Sequence, residues 1–171
     1  MLHRSVSRSF PLLSIGLFLA ACSGGGGGGS GDGFQLTRIS LLEGAVWKVN
    51  QEIVFTFSDD VDFSSVSLNT ITVQTTTGTP ATGTFFLRGT KQIVFQPNCP
   101  TLSDLSDTGL QAGGIAYVIR VPGQSSGAFN TVRSSSGSTL QVTQVRNFST
   151  PTSTAPAQAF LDTQQDRKSV V

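Results

Sequence analysis

The chain of 171 residues has one histidine, two cysteines, one tryptophan, one tyrosine and only 12% charged residues. Each scarcity excludes something. The histidine is His3, inside an N-terminal segment that reads as a cleaved export signal, so the mature chain carries no imidazole. That excludes most hydrolase triads and nearly all histidine-ligated metal sites. Eleven Lys and Arg against ten Asp and Glu leave a net charge of +1, and so even a balance gives no electrostatic reason to expect nucleic acid. No stretch shows a helical stripe, although Thr101 to Leu110 has room for a short helical turn. The length predicts one modest domain.

What is present begins with targeting. Arg4 and Arg8 precede an apolar run from Phe10 to Ala21, broken only by Pro11, Ser14 and Gly16 and ending in small residues at Cys22. The run is too short to cross a bilayer as a helix. Leu19-Ala20-Ala21-Cys22 resembles the lipobox of bacterial lipoproteins. The resemblance implies removal of residues 1–21, a diacylglycerol on the thiol of Cys22 and a membrane partner through that lipid. At about 0.8 kcal/mol per buried methylene, one acyl chain anchors marginally while two or three anchor firmly. Ser23, not aspartate, follows the cysteine, and in the lipoprotein sorting pattern this implies an outer-membrane or cell-surface location where the cell has an outer membrane. An ordinary secretory signal with an incidental cysteine is the alternative.

Residues 22–33 read as the lipidated cysteine and a glycine-rich linker. Eight of the eleven residues from Ser23 to Gly33 are glycine, and a segment with nothing to bury cannot repay its ordering entropy. A disordered tether of that length has an rms reach of about 18 Å. A phosphate-cradling loop is the competing reading of a glycine run, but no strand precedes this one and no Gly-Lys-Ser/Thr follows.

From residue 34 to 151 the pattern is β. Ile53, Phe55 and Phe57 alternate with Val54, Thr56 and Ser58; Ile71 and Val73 with Thr70, Thr72 and Gln74; Ile93 and Phe95 with Gln92, Val94 and Gln96. The longest alternation sets Ile115, Tyr117, Ile119 and Val121 against Ala116, Val118 and Arg120. Period two with one apolar face means half-buried antiparallel strands, and turn residues at Thr77 to Pro80, Arg88 to Thr90, Ala112 to Gly114 and Pro122-Gly123 separate them. The expectation is an all-β sandwich. Its core would hold Ile53, Phe55, Phe57, Ile71, Val73, Ile93, Phe95, Tyr117 and Ile119.

The run from Val49 to Asp62, with its strand ending in Phe57-Ser58 and the acidic turn after it, resembles the opening of the bacterial Ig-like domain named after the S-layer protein SbsA. Asn69 to Val73, Gln92 to Pro97, Gly114 to Val121 and Asn147 to Thr150 follow in that family's order. The resemblance spans about Gln35 to Pro151 and implies an Ig-like antiparallel sandwich of about seven strands, used mostly as a structural or spacer unit of cell-surface proteins. It departs from the family in two longer insertions, Pro97 to Gly114 and Val121 to Leu140.

Apparent chemistry is sparse. Gly123-Gln124-Ser125-Ser126-Gly127 fits the Gly-x-Ser-x-Gly elbow, but the elbow needs a following helix and a histidine base, so a flexible loop is expected. Asp59, Asp60 and Asp62 offer oxygen ligands for calcium without EF-hand spacing, and a solvated acidic turn is the competing reading. Asp104 and Asp107 read as turn and cap formers. Cys99, the only cysteine left in the mature chain, reads as a small buried or loop thiol with no disulfide partner in its own chain. Trp47 is expected to cover one end of the core or to be partly exposed. Tyr117 lies where Ig-like sandwiches place a corner tyrosine bonded to backbone. Residues 152–171 shift to Thr, Ser, Pro, Ala and Gln and read as a linker or disordered tail, with a truncated multidomain product as one explanation. Taken together, the residues predict no catalytic group, no metal, no cofactor and no small-molecule substrate. The expected role is a structural or spacer module of the envelope; the alternative is a module whose loops recognise a cell-surface protein or glycan.

Overall fold

The computed structural model describes residues 33–102, 106–155 and 159–160. Eight strands follow one another: β1 (Leu36–Ile39), β2 (Ala45–Val46), β3 (Ile53–Phe57), β4 (Thr72–Thr75), β5 (Gly83–Arg88), β6 (Gln92–Pro97), β7 (Ala116–Val121) and β8 (Gln144–Ser149). They form two four-stranded sheets, in the orders β1-β3-β6-β5 and β2-β8-β7-β4. Every pairing is antiparallel except the short parallel contact of β2 with β8. Lettered in chain order with β1 and β2 as one divided first strand, the sheets read A-B-E-D and G-F-C, which is the immunoglobulin-like sandwich. The expected all-β Ig-like fold is therefore observed. The strand number is eight because the first strand is split: β1 pairs with β3, and the chain then crosses to lay β2 against β8.

Alternation explains the central strands. In β3 the side chains of Ile53, Phe55 and Phe57 are buried and those between them are half-buried, and in β7 Tyr117, Ile119 and Val121 turn inward. All the residues expected in the core are buried there, joined by Phe34, Leu41, Val49, Leu110, Val132 and Leu140. Val94 departs from expectation, because it lies on the outward face of β6 yet is fully buried. It sits on a central strand with Val54 of β3 and Phe86 of β5 directly opposite on either side, close enough to cover so short a side chain.

Both long insertions carry side chains that reach the core. Leu110 is buried from the β6–β7 connection, and Val132 and Leu140 from the β7–β8 connection. The latter doubles back through an Arg133–Thr139 bridge around Gly137, whose φ of 89° belongs to the left-handed region open to glycine. Packing also runs past Pro151, where a linker was expected. The amide of Val49 donates to the carbonyl of Ala159 at 3.1 Å, Ala159 is buried, and Phe160 packs against the core. A few small and apolar residues suffice to fill the open end of a sandwich, and their polar neighbours mask them in composition. The export segment, Cys22, the glycine tether up to Asp32, Asp104 and residues 161–171 lie outside the described residues.

The registers define two ends. At one, termed upper, lie the end of β3, the start of β6, the end of β7, the start of β8 and the beginning of β1, since Leu36 pairs with Phe57. At the lower end lie the start of β3, the end of β6, the start of β7 and the end of β8, since Ile53 pairs with Phe95 and Ala116 with Ser149. The domain is thus joined to the preceding segment at its upper end and left through Thr150 and Pro151 at its lower end.

Candidate functional site

Two connections meet at the upper end, β3–β4 and β7–β8. They correspond to the B–C and F–G loops that carry recognition in variable immunoglobulin domains. Asp62 lies in the first of them. Its Oδ1 accepts from the Ser64 amide at 3.0 Å and the Ser64 hydroxyl at 2.6 Å, capping a 3₁₀ turn over Phe63–Ser65. Its Oδ2 accepts from Arg133 of the second connection at 3.3 Å. Backbone bonds complete the joint: Asp62 N to Arg133 O, Ser135 N to Asp60 O, and Arg133 N to the Ser65 hydroxyl. The Ser64 hydroxyl, aided by the Ser64 amide and Arg133, holds the Asp62 carboxyl below its usual range against the opposing effect of burial.

Between the loops lies an open cleft of about 280 Å³, lined by Ser64, Ser67, Asn69, Asn130, Arg133 and Phe129 among others. Its lining is hydroxyls, amides and one guanidinium, with a single aromatic ring at its border. Phe129 is 101% exposed, so its ring stands wholly in solvent. Leu68 at 49% and Val142 at 56% are exposed on the same connections. Such a surface can make both polar and apolar contacts.

The residues singled out by sequence fall as follows. Of the three aspartates, Asp62 is engaged as described and Asp59 accepts from the Ser58 hydroxyl at 2.8 Å. Among the described residues, no three His, Cys, Asp or Glu side chains gather in a metal-binding group. In Gly123 to Gly127 the chain makes a 3₁₀ turn over Gln124–Ser126, and the Ser126 hydroxyl donates to Gly123 O at 2.7 Å. A Cβ on Gly123 would lie 2.4 to 2.6 Å from backbone atoms of Gln141 and Val142, so close approach is what glycine permits here. Asp107 accepts from the amide and hydroxyl of Thr101 and the amide of Leu102, a loop-closing role that holds its carboxyl low, chiefly through the Thr101 hydroxyl. Cys99 is an exposed free thiol. Trp47 is half-buried against the core and donates through Nε1 to Gln51 O at 3.1 Å. The Tyr117 hydroxyl accepts from the Gln111 amide at 2.9 Å, the corner contact expected of it.

Two further hollows are shallower in chemistry. One, about 230 Å³ on the outer face of the first sheet, is bordered by Arg38, Thr56, Arg88 and Gln92, and Arg88 is held bidentately by Glu52 at 2.6 and 2.7 Å. The other, about 320 Å³ at the lower end, includes Thr108, whose buried hydroxyl has no hydrogen-bond partner among the described residues. Sequence reasoning did not single out Phe129, because one apolar residue in a polar loop is ordinary. The available signal was that it is the sole aromatic residue of a 22-residue connection otherwise rich in Ser, Gly and Thr.

No family model and no curated protein matches the chain. Several solved structures are similar to it at low identity. The N-terminal part of the bacterial S-layer protein SbsC is similar over 70% of this chain and 24% of that one, at 13% identity and a TM-score of 0.43. CopC from Methylosinus trichosporium OB3b is similar over 69% of this chain and 93% of its own, at 15% identity and a TM-score of 0.44. The alpha-2-macroglobulin of E. coli in its native conformation is similar over 71% of this chain and 6% of its own, at 14% identity and a TM-score of 0.47. The chain spans about a quarter of the length of the SbsC fragment.

Proposed function

We propose that this chain is a lipid-anchored module of the bacterial envelope, of the SbsA type, whose Ig-like domain is a non-enzymatic structural spacer. The observation that carries the reading is axial: the tethered N-terminus joins at the upper end and the chain leaves at the lower end. A domain joined in this way adds its own length between its attachments, about 20 Å for a six-residue strand. The anchor rests on Arg4, Arg8, the apolar run and Leu19-Ala20-Ala21-Cys22 followed by the glycine tether. The test is fractionation of cells expressing the full chain. Wild type should sediment with membranes and Cys22→Ala should not; retention of Cys22→Ala in membranes would overturn the anchor.

A second reading, recognition of a surface protein or glycan, is favoured by the fully exposed Phe129 over a cleft of hydroxyl and amide groups. Pull-down of envelope extract on the Cys22→Ala chain separates the two. A saturable partner lost in Phe129→Ser would support recognition, whereas the spacer reading expects none.

A further inference from the structure

We propose that the upper end of the sandwich faces the membrane and that Phe129 dips into the lipid interface. This rests on the lipid-anchor reading. Gly33 lies beside Gln141 of the β7–β8 connection, with room for only 3.4 Å between a Cβ on the glycine and the glutamine side chain, so the tether joins the domain within the loop cluster that carries Phe129. Eleven residues separate Cys22 from Phe34, and even fully extended they span no more than about 40 Å.

Tethering decides whether one ring is enough. A lone phenylalanine partitions weakly, but an intramolecular encounter sees the bilayer at an effective concentration on the order of millimolar or above, so weak contacts become persistent. Phe129 is fully solvated in the β7–β8 connection, with Leu68 and Val142 exposed on the same pair of loops, an arrangement suited to shallow insertion at the headgroup boundary. Leu42 and Val46 are also exposed, but they flank the lower half of β8, away from the tether. Charge does not drive the contact. Asp59 and Asp60 are exposed at this end, Arg133 is occupied by Asp62, and the Lys91 ammonium donates to Ser58 O. The partner surface is therefore the apolar boundary of a neutral bilayer, without need of anionic lipid.

The test uses the full lipidated chain in phosphatidylcholine vesicles whose acyl chains carry bromine, a short-range quencher. Wild type contains only Trp47, at the lower end, and Phe129→Trp adds a second emitter at the upper end. The added emission should be blue-shifted and largely quenched, Trp47 should be unaffected, and exchanging neutral for anionic lipid should change neither. Sedimentation of wild type but not Cys22→Ala, with the added emission unquenched, would overturn the membrane contact and leave the anchor standing. Wild type that fails to sediment would overturn both. Emission that shifts with soluble envelope glycan or protein and not with vesicles would overturn the contact in favour of recognition by the loops. Circular dichroism of Phe129→Trp confirms that the fold is unchanged; because the ring is entirely exposed, the substitution disturbs no packing.

Discussion

Tyr117 shows how one side chain holds a corner. Its ring stacks on Phe148 with centroids 5.3 Å apart while its hydroxyl takes the Gln111 amide, tying the β6–β7 connection to the second sheet. In Tyr117→Phe the ring remains and the half-buried amide loses its acceptor, which should cost about 1 to 3 kcal/mol in urea unfolding. Burial, opposed by that amide, pushes the phenol above its ordinary 10.0. The folded form therefore keeps its proton where the unfolded chain has lost it. The contribution is complete below pH 10 and is lost as pH rises through the raised value, so an alkaline limb in stability should flatten in Tyr117→Phe. By contrast the Glu52–Arg88 pair is substantially exposed, and Glu52→Gln should cost less than about 1 kcal/mol in the same measurement despite its bidentate geometry.

Strand β3 lies in the interior of its sheet, between β1 and β6. Phe55 is completely buried between neighbours on β1 and β6, and Phe55→Ala should cost about 3 to 5 kcal/mol of unfolding free energy. Gly123→Ala should cost about 1 to 3 kcal/mol, because the added methyl meets backbone that cannot rotate away and must lift the β7–β8 connection from its seat. Strands β3, β4, β6 and β7 were legible in the sequence because each lays one apolar face on the core at period two. The others were not, for separate reasons. In β1 a shift of register between Leu36 and Arg38 puts buried Leu36 and Ile39 three residues apart. With only two residues, β2 is too short to alternate, and the Phe85-Phe86-Leu87 run of β5 is apolar on both faces of an edge strand. In β8 only the end around Phe148 was legible, since Arg146 occupies the same face as Phe148 where an apolar residue would complete the pattern. The loop cluster was illegible as a site for a related reason: which loops become neighbours is set by sheet order, and no local pattern encodes that Asp62 will meet Arg133.

The whole molecule extends further than its strands. Ala159 and Phe160 close the lower end beside Val49, so a chain ending at Pro151 should unfold about 2 kcal/mol more easily than one ending at Val171, a loss readable as a lower urea midpoint at unchanged slope. With both oxygens of Asp62 engaged, thermal melts in millimolar calcium and in chelator should coincide, and a calcium-dependent rise abolished by Asp60→Asn would reveal a site that binds the native state.

The parallel contact between β2 and β8 has a mechanical consequence. With attachments at opposite ends, tension applied along the long axis draws the first strand one way and the last strand the other, sliding β2 past β8. The bonds from Gly44 N to Asn147 O and from Trp47 N to Ser149 O, reinforced by Glu43 accepting from the Asn147 amide, then bear the load side by side. They must fail together, whereas a hairpin pulled from one end opens a bond at a time. Resistance to pulling is a rate, set by the barrier to unfolding and not by overall stability. Two residues of strand, placed where the force must pass, thus equip the domain to keep its length under shear.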